Sequence, residues 1–100
     1  MKALVIGQGM LGTALVDALC EAGHETVSTS RDPLSSHFYL DMTKPIPQLP
    51  LMDTCFVVGA ISSYRLCEGD QMAWVTNADA PVSISAQAIA RGMFPVFVSS

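Results

Sequence analysis

The chain has 100 residues, half of them hydrophobic and 14% charged, with five basic and nine acidic side chains giving a net charge of −4. That length suits one small domain. Its basic residues, Lys2, Arg31, Lys44, Arg65 and Arg91, are scattered, so no cationic patch points to nucleic acid or to an anionic membrane surface.

In chain order, Met1-Lys2-Ala3-Leu4 lacks the long apolar region and small-residue cleavage site of a secretory leader, so a cytoplasmic chain is expected. No apolar run approaches the ~18 residues of a membrane span. Residues 2–6 (Lys-Ala-Leu-Val-Ile) form a short apolar run that stops at Gly7, the pattern of a fully buried strand. A helix follows, with Leu11, Ala14, Leu15, Ala18, Leu19 and Ala22 at three- and four-residue spacing and Asp17 and Glu21 on the outer side. Gly23 is placed to cap its C-terminus. Residues 25–30 supply the β-branched side chains of a second strand. Strand, glycine turn, helix and strand in about thirty residues make a βαβ unit.

The next stretch is compressed. Residues 31–36 read as a polar loop and 37–40 as a brief third strand. Residues 43–50 contain three prolines and exclude an ordinary helix. A fourth strand runs from Asp53 to Gly59, and a loop extends from Ala60 to Gly69. A helical pattern covers 70–91, broken near Asn77–Pro81 because proline disfavours helix in the residue before it. Residues 93–98 form a fifth strand, ending at Ser99-Ser100. The expected fold is α/β: a Rossmann-type parallel sheet of about five strands, order 3-2-1-4-5, with few covering helices. So little helical cover leaves apolar sheet exposed, which suggests a longer parent chain, a homo-oligomer, or both.

Cys20, Cys55 and Cys67 are odd in number and never spaced Cys-x-x-Cys, and His24 and His37 stand apart from them. Buried or half-buried thiols in a reducing compartment are expected, and no metal site.

The chemistry is concentrated in Gly7-Gln8-Gly9-Met10-Leu11-Gly12, which matches G-x-G-x-x-G. The motif alone is weak, but here it follows a buried strand and opens an amphipathic helix. Gly7 permits the tight turn, Gly9 lets a diphosphate approach the backbone, and Gly12 lets the helix pack close. Unpaired helix N–H groups then face the phosphates. The ligand is read at the end of the second strand, where NAD sites usually carry an acid for the ribose 2′-hydroxyl. Here Ser30 can donate to a 2′-phosphate and Arg31 can pair with it, so NADP is expected, with NAD the alternative if the register places Asp32 at the ribose. Asp32 otherwise starts an Asp-Pro turn. Asp41-Met42, beyond the third strand, stand where an acid could accept from the adenine amino group. Gly59-Ala60-Ile61 lie at the carboxyl end of the fourth strand, where open α/β sheets hold ligands, and leave room for the second ribose.

Cys67-Glu68, then Ala73-Trp74-Val75-Thr76-Asn77-Ala78-Asp79-Ala80-Pro81, then a helix and Val96-Phe97-Val98-Ser99-Ser100, resemble the short-chain dehydrogenase/reductase superfamily. Within its extended, NAD-dependent epimerase/dehydratase branch the chain looks most like the dTDP-4-dehydrorhamnose reductase group. That resemblance implies an oxidoreductase or epimerase acting on a carbonyl or sugar-nucleotide substrate. It makes Asn77 a proton-relay residue, Asp41 the adenine-contacting acid and Ser100 the catalytic hydroxyl, with Ser99 its neighbour. The family's Tyr-x-x-x-Lys pair has no match here, since neither Tyr39 nor Tyr64 has a lysine four residues on. The chain is therefore expected to be the NAD(P)-binding part, 1–100, of a longer enzyme and inactive alone. A non-catalytic NADP(H)-binding regulatory or sensor module is the other reading, because fold does not fix function.

Overall fold

A computed structural model describes residues 1–7, 9–35, 37–58 and 80–98. Five strands, β1 (Lys2–Ile6), β2 (Glu25–Ser30), β3 (Phe38–Tyr39), β4 (Thr54–Val57) and β5 (Phe94–Phe97), form one sheet in the order β3-β2-β1-β4-β5. Every pairing is parallel. Two helices lie among the described residues, α1 (Met10–Glu21) and α2 (Ala80–Ala90). This is the α/β, Rossmann-like arrangement expected from the alternation of buried runs and helical spacing.

β1 is apolar from Ala3 to Ile6 because it is the central strand, with both faces covered. Side-chain alternation divides it: Leu4 and Ile6 enter one core, Ala3 and Val5 the other. The first core also takes Cys55 and Val57 of β4, Ile84 and Ala88 of α2, and Leu40, Met42 and Leu49 from the chain after β3. Residues 45–52 form neither helix nor strand, as three prolines require. They run as an extended strap whose Leu49 is buried and whose Ile46 and Met52 pack against the core.

That strap is held by one side chain. Gln87 of α2 donates from Nε2 to the Pro47 carbonyl at 3.0 Å and accepts the Leu49 N–H on Oε1 at 2.5 Å. Prolines at 45, 47 and 50 leave the strap few N–H groups, so a ladder is impossible there and a single amide satisfies both a donor and an acceptor.

α1 is rotated relative to its expected face. Its buried side comprises Gly12 and Leu19, with Leu15 and Val16 packed against the sheet, while Leu11, Ala14, Ala18 and Ala22 are exposed. The rotation has a cause at Gly12, discussed below. Asp17 and Glu21 face outward as read from the sequence. Cys20 is exposed, so it is not the half-buried thiol expected, whereas Cys55 is buried and its thiol is pushed up to about 11 by desolvation.

Both helices end alike. Gly23 and Gly92 have φ of 85° and 79°, and the residue after each glycine bonds back five residues, His24 to Leu19 and Met93 to Ala88. These are Schellman ends, in which glycine takes the left-handed conformation at no side-chain cost. α2 begins at Ala80, directly before Pro81, although proline disfavours helix there. The ring sits in the first turn, where its missing N–H has no intrahelical partner to lose. β5 carries Pro95 at the edge of the described sheet. The Phe94 and Val98 N–H groups bond to Asp53 and Val57 of the β4 side, so the nitrogen of Pro95 points away from the ladder.

Candidate phosphate-binding turn and its surroundings

The turn between β1 and α1 is built from glycines with separate reasons. Gly7 has φ 122°, a conformation L side chains rarely adopt. A Cβ placed on Gly12 would collide with the Gly7 carbonyl oxygen and lie 3.0 Å from its carbonyl carbon. Position 12 must therefore be glycine for α1 to start this close to the turn. The same nesting sets the rotation of α1, turning Leu11 and Ala14 outward. Gly9 differs from both. Its φ of −68° suits any residue, and a Cβ there would meet nothing within 4 Å. Among the described residues nothing demands glycine at that point, and the space beside it is open.

Gly9 is also the N-cap of α1, with no side-chain cap and no acidic residue in the first turn. The first internal bond runs from the Thr13 N–H to the Gly9 carbonyl at 3.0 Å, so the amides of Met10, Leu11 and Gly12 precede the helical ladder. Met10 is 91% exposed and Leu11 53%, although both are large and apolar. The positive end of a twelve-residue helix thus opens beside Gly9, with an apolar rim. From the neighbouring strand, Thr29 accepts the Gly7 N–H on Oγ1 at 3.2 Å.

β2 ends at Ser30, and Arg31 follows it, exposed. The Ser30 hydroxyl accepts the Asp32 N–H at 3.0 Å, leaving its own hydrogen outside that bond. The Asp32 carboxylate accepts the Leu34 N–H at 2.9 Å, and the Asp32 carbonyl accepts that of Ser35 at 3.1 Å. Asp32 therefore builds the Asp-Pro turn.

Asp41 lies just past β3 and is half-buried. Its Oδ1 accepts both the Thr43 hydroxyl, at 2.6 Å, and the Thr43 N–H, at 2.9 Å. These two bonds hold the carboxyl below the ordinary aspartate range against partial burial, and the charges of Lys44 and Arg31 add to the effect. β2 and β3 are paired side by side, so Ser30, Arg31 and Asp41 stand at neighbouring strand ends. Lys44 Nζ donates to the Tyr39 hydroxyl at 3.4 Å. Met42 is turned into the core, 7% exposed, and borders a cleft of about 270 Å³ formed by residues 42–46 with Ala80 and Ser83.

Gly7, Gly9, Met10, Leu11 and Gly12 therefore come together at one turn, and Ser30, Arg31, Asp32 and Asp41 at the neighbouring strand ends. Gly59, Ala60, Ile61, Asn77 and Ser100 lie outside the described residues, as do Ser99 and Cys67. Sequence reading passed over Thr29 and Thr43. Thr29 looked like one more β-branched strand former, and only its place one residue before the strand end marks it. Thr43 sits two residues after Asp41, the spacing of an Asx turn. Among the described residues no group of three or more His, Cys, Asp or Glu could hold a metal ion, and no helix is long and apolar enough to cross a membrane. A comparison with protein-family models finds no match, and one with curated proteins finds none either.

Proposed function

We propose that the chain binds an adenine dinucleotide at the Gly7–Gly12 turn, NADP(H) in preference to NAD(H), as the nucleotide-binding part of a short-chain-type oxidoreductase or a sugar-nucleotide reductase or epimerase. The observation that carries the reading is the contrast among the three glycines. Gly7 and Gly12 are required by the fold, whereas among the described residues nothing requires glycine at Gly9, which stands at a helix N-terminus without a side-chain cap. A ligand approaching the backbone supplies that reason, and its charge complements the free amides.

In this reading the amides from Gly9 to Gly12 hold the diphosphate. Arg31 pairs with a 2′-phosphate and Ser30 donates its hydroxyl hydrogen to it. The preference for NADP is supported by β2 ending at Ser30 and by the engagement of Asp32 in its own turn. Asp41 borders the adenine, whereas the Met42 side chain is taken up by the core. Gly59, Ala60 and Ile61 would give room to the second ribose, and Ser100 and Asn77 would act on a carbonyl substrate, roles that rest on sequence resemblance alone. The cofactor, when bound, supplies the hydride for such a substrate.

Titration of the purified chain with NADPH and NADH tests this directly. Arg31→Ala should weaken NADPH by about 1–3 kcal/mol and leave NADH unchanged, because only NADPH carries the phosphate the guanidinium pairs with. Equal losses for both would overturn the NADP preference. A chain with no affinity for either nucleotide at millimolar concentration would overturn the dinucleotide reading itself.

A further inference from the structure

The N–H of Gly7 stands where the regular ladder of β1 stops. Ile6 still accepts from the β4 side, where Val58 donates to its carbonyl at 2.8 Å. One residue later the chain swings to a φ of 122°, and the Gly7 N–H is taken by a side chain, Thr29 Oγ1 at 3.2 Å. Thr29 is 2% exposed and sits on β2, where its backbone pairs with Phe38 of β3. Its backbone is therefore held in the β2–β3 ladder. The Gly7 carbonyl is in turn the atom against which Gly12, and so the start of α1, is seated. A chain of contacts therefore runs from a buried hydroxyl through the two peptide groups that meet at Gly7 to the start of the helix.

We infer that Thr29 is a positioning residue of the phosphate turn, setting the orientation of the Gly7 peptide and through it the amides that meet a diphosphate; this rests on the dinucleotide reading above. The partner is a hydroxyl rather than a carbonyl because Gly7 has left the strand geometry that a backbone acceptor on β2 would match. Serine can supply the same acceptor. Valine has the same shape and no oxygen, so it leaves the Gly7 N–H unpaired while keeping the packing of the branched side chain.

The experiment measures equilibrium affinities of the full chain, Thr29→Val and Thr29→Ser for NADPH, NADH and adenosine 2′-monophosphate. The last probe carries the adenosine end and no diphosphate. Thr29→Val should weaken NADPH and NADH alike by about tenfold, the scale of one lost hydrogen bond to a buried donor. It should leave the monophosphate within about twofold, because that probe reaches neither the Gly7 turn nor the helix start, and the Ser30 and Arg31 groups that meet its phosphate are unchanged. Thr29→Ser should restore the dinucleotides. Unchanged dinucleotide affinity in Thr29→Val overturns the inference, and so does an equal loss for all three probes, which would mark Thr29 as a support of the fold alone. Failure of the unsubstituted chain to bind either dinucleotide overturns the functional reading and this inference with it. Should Thr29→Val not fold, the unsubstituted chain decides. Its Gly7 amide is expected to exchange slowly with solvent and to shift on addition of NADPH but not of the monophosphate, and a fast-exchanging or unmoved amide overturns the assignment.

Discussion

The two faces of the sheet are built on different plans. On the α2 side, eleven buried residues from two strands, a helix, the proline strap and the segments beside β3 and β5 form one core. On the α1 side the described residues form a smaller core of Ala3, Val5 and Leu19, with Leu15, Val16, Phe56 and Val58 partly covered. The difference follows from what each helix must do. α2 packs through buried Ala80, Ile84 and Ala88 at a regular four-residue spacing and is tied to the strap by Gln87. α1 is held at its start by the fit of Gly12 against the Gly7 carbonyl, so it turns Leu11 and Ala14 away from the sheet. One face is arranged for stability, the other around a turn.

The sharpest way to break this contrast is to truncate one leucine-sized side chain on each side. Ile84→Ala should destabilise the chain by about 2–5 kcal/mol, since Ile84 is fully enclosed and the core cannot easily collapse around the gap. Leu19→Ala should fall at or below the low end of that range, about 2 kcal/mol, because its cavity opens toward solvent. Urea unfolding of both variants checks the order, and equal losses would dissolve the distinction. A smaller effect is expected at the strap. Gln87→Leu should cost about 1–3 kcal/mol by stranding the Leu49 N–H and the Pro47 carbonyl. If the strap were held by packing alone, the substitution would instead be neutral in the same unfolding assay.

The smallest expected effect concerns pH. Asp41 titrates below its unfolded value, chiefly through Thr43. Its contribution to stability is therefore complete above the unfolded pKa and disappears as pH falls through the lower, folded one. Thr43→Val should move the carboxyl back toward the ordinary aspartate range and flatten that acid limb, readable from the carboxyl signal in an NMR titration.

Much of the architecture was legible before any coordinates. Buried runs, three- and four-residue spacing and Gly23 located the strands, the first helix and its C-terminal cap, because each is a local pattern with one physical meaning. The rotation of α1 was not legible. Periodicity points to Leu11 and Ala14 as packing positions, whereas the helix is seated through Gly12 against a carbonyl five residues earlier, an approach only glycine allows. Gln87 was equally hidden, since nothing in a helical glutamine announces that it will bind a strap about forty residues away. At the candidate site the glycines and Ser30-Arg31 could be read from the motif, whereas Thr29 could not. Its role depends on which strand neighbours β1, a fact of topology rather than of spacing.

Pro95 has a consequence beyond its own strand. A polypeptide laid against the outer border of β5 would need an amide donor at that point and would find a ring carbon instead. Continuous zipping of a second chain along this border of the described sheet is interrupted at its middle, which guards that border against edge-to-edge aggregation.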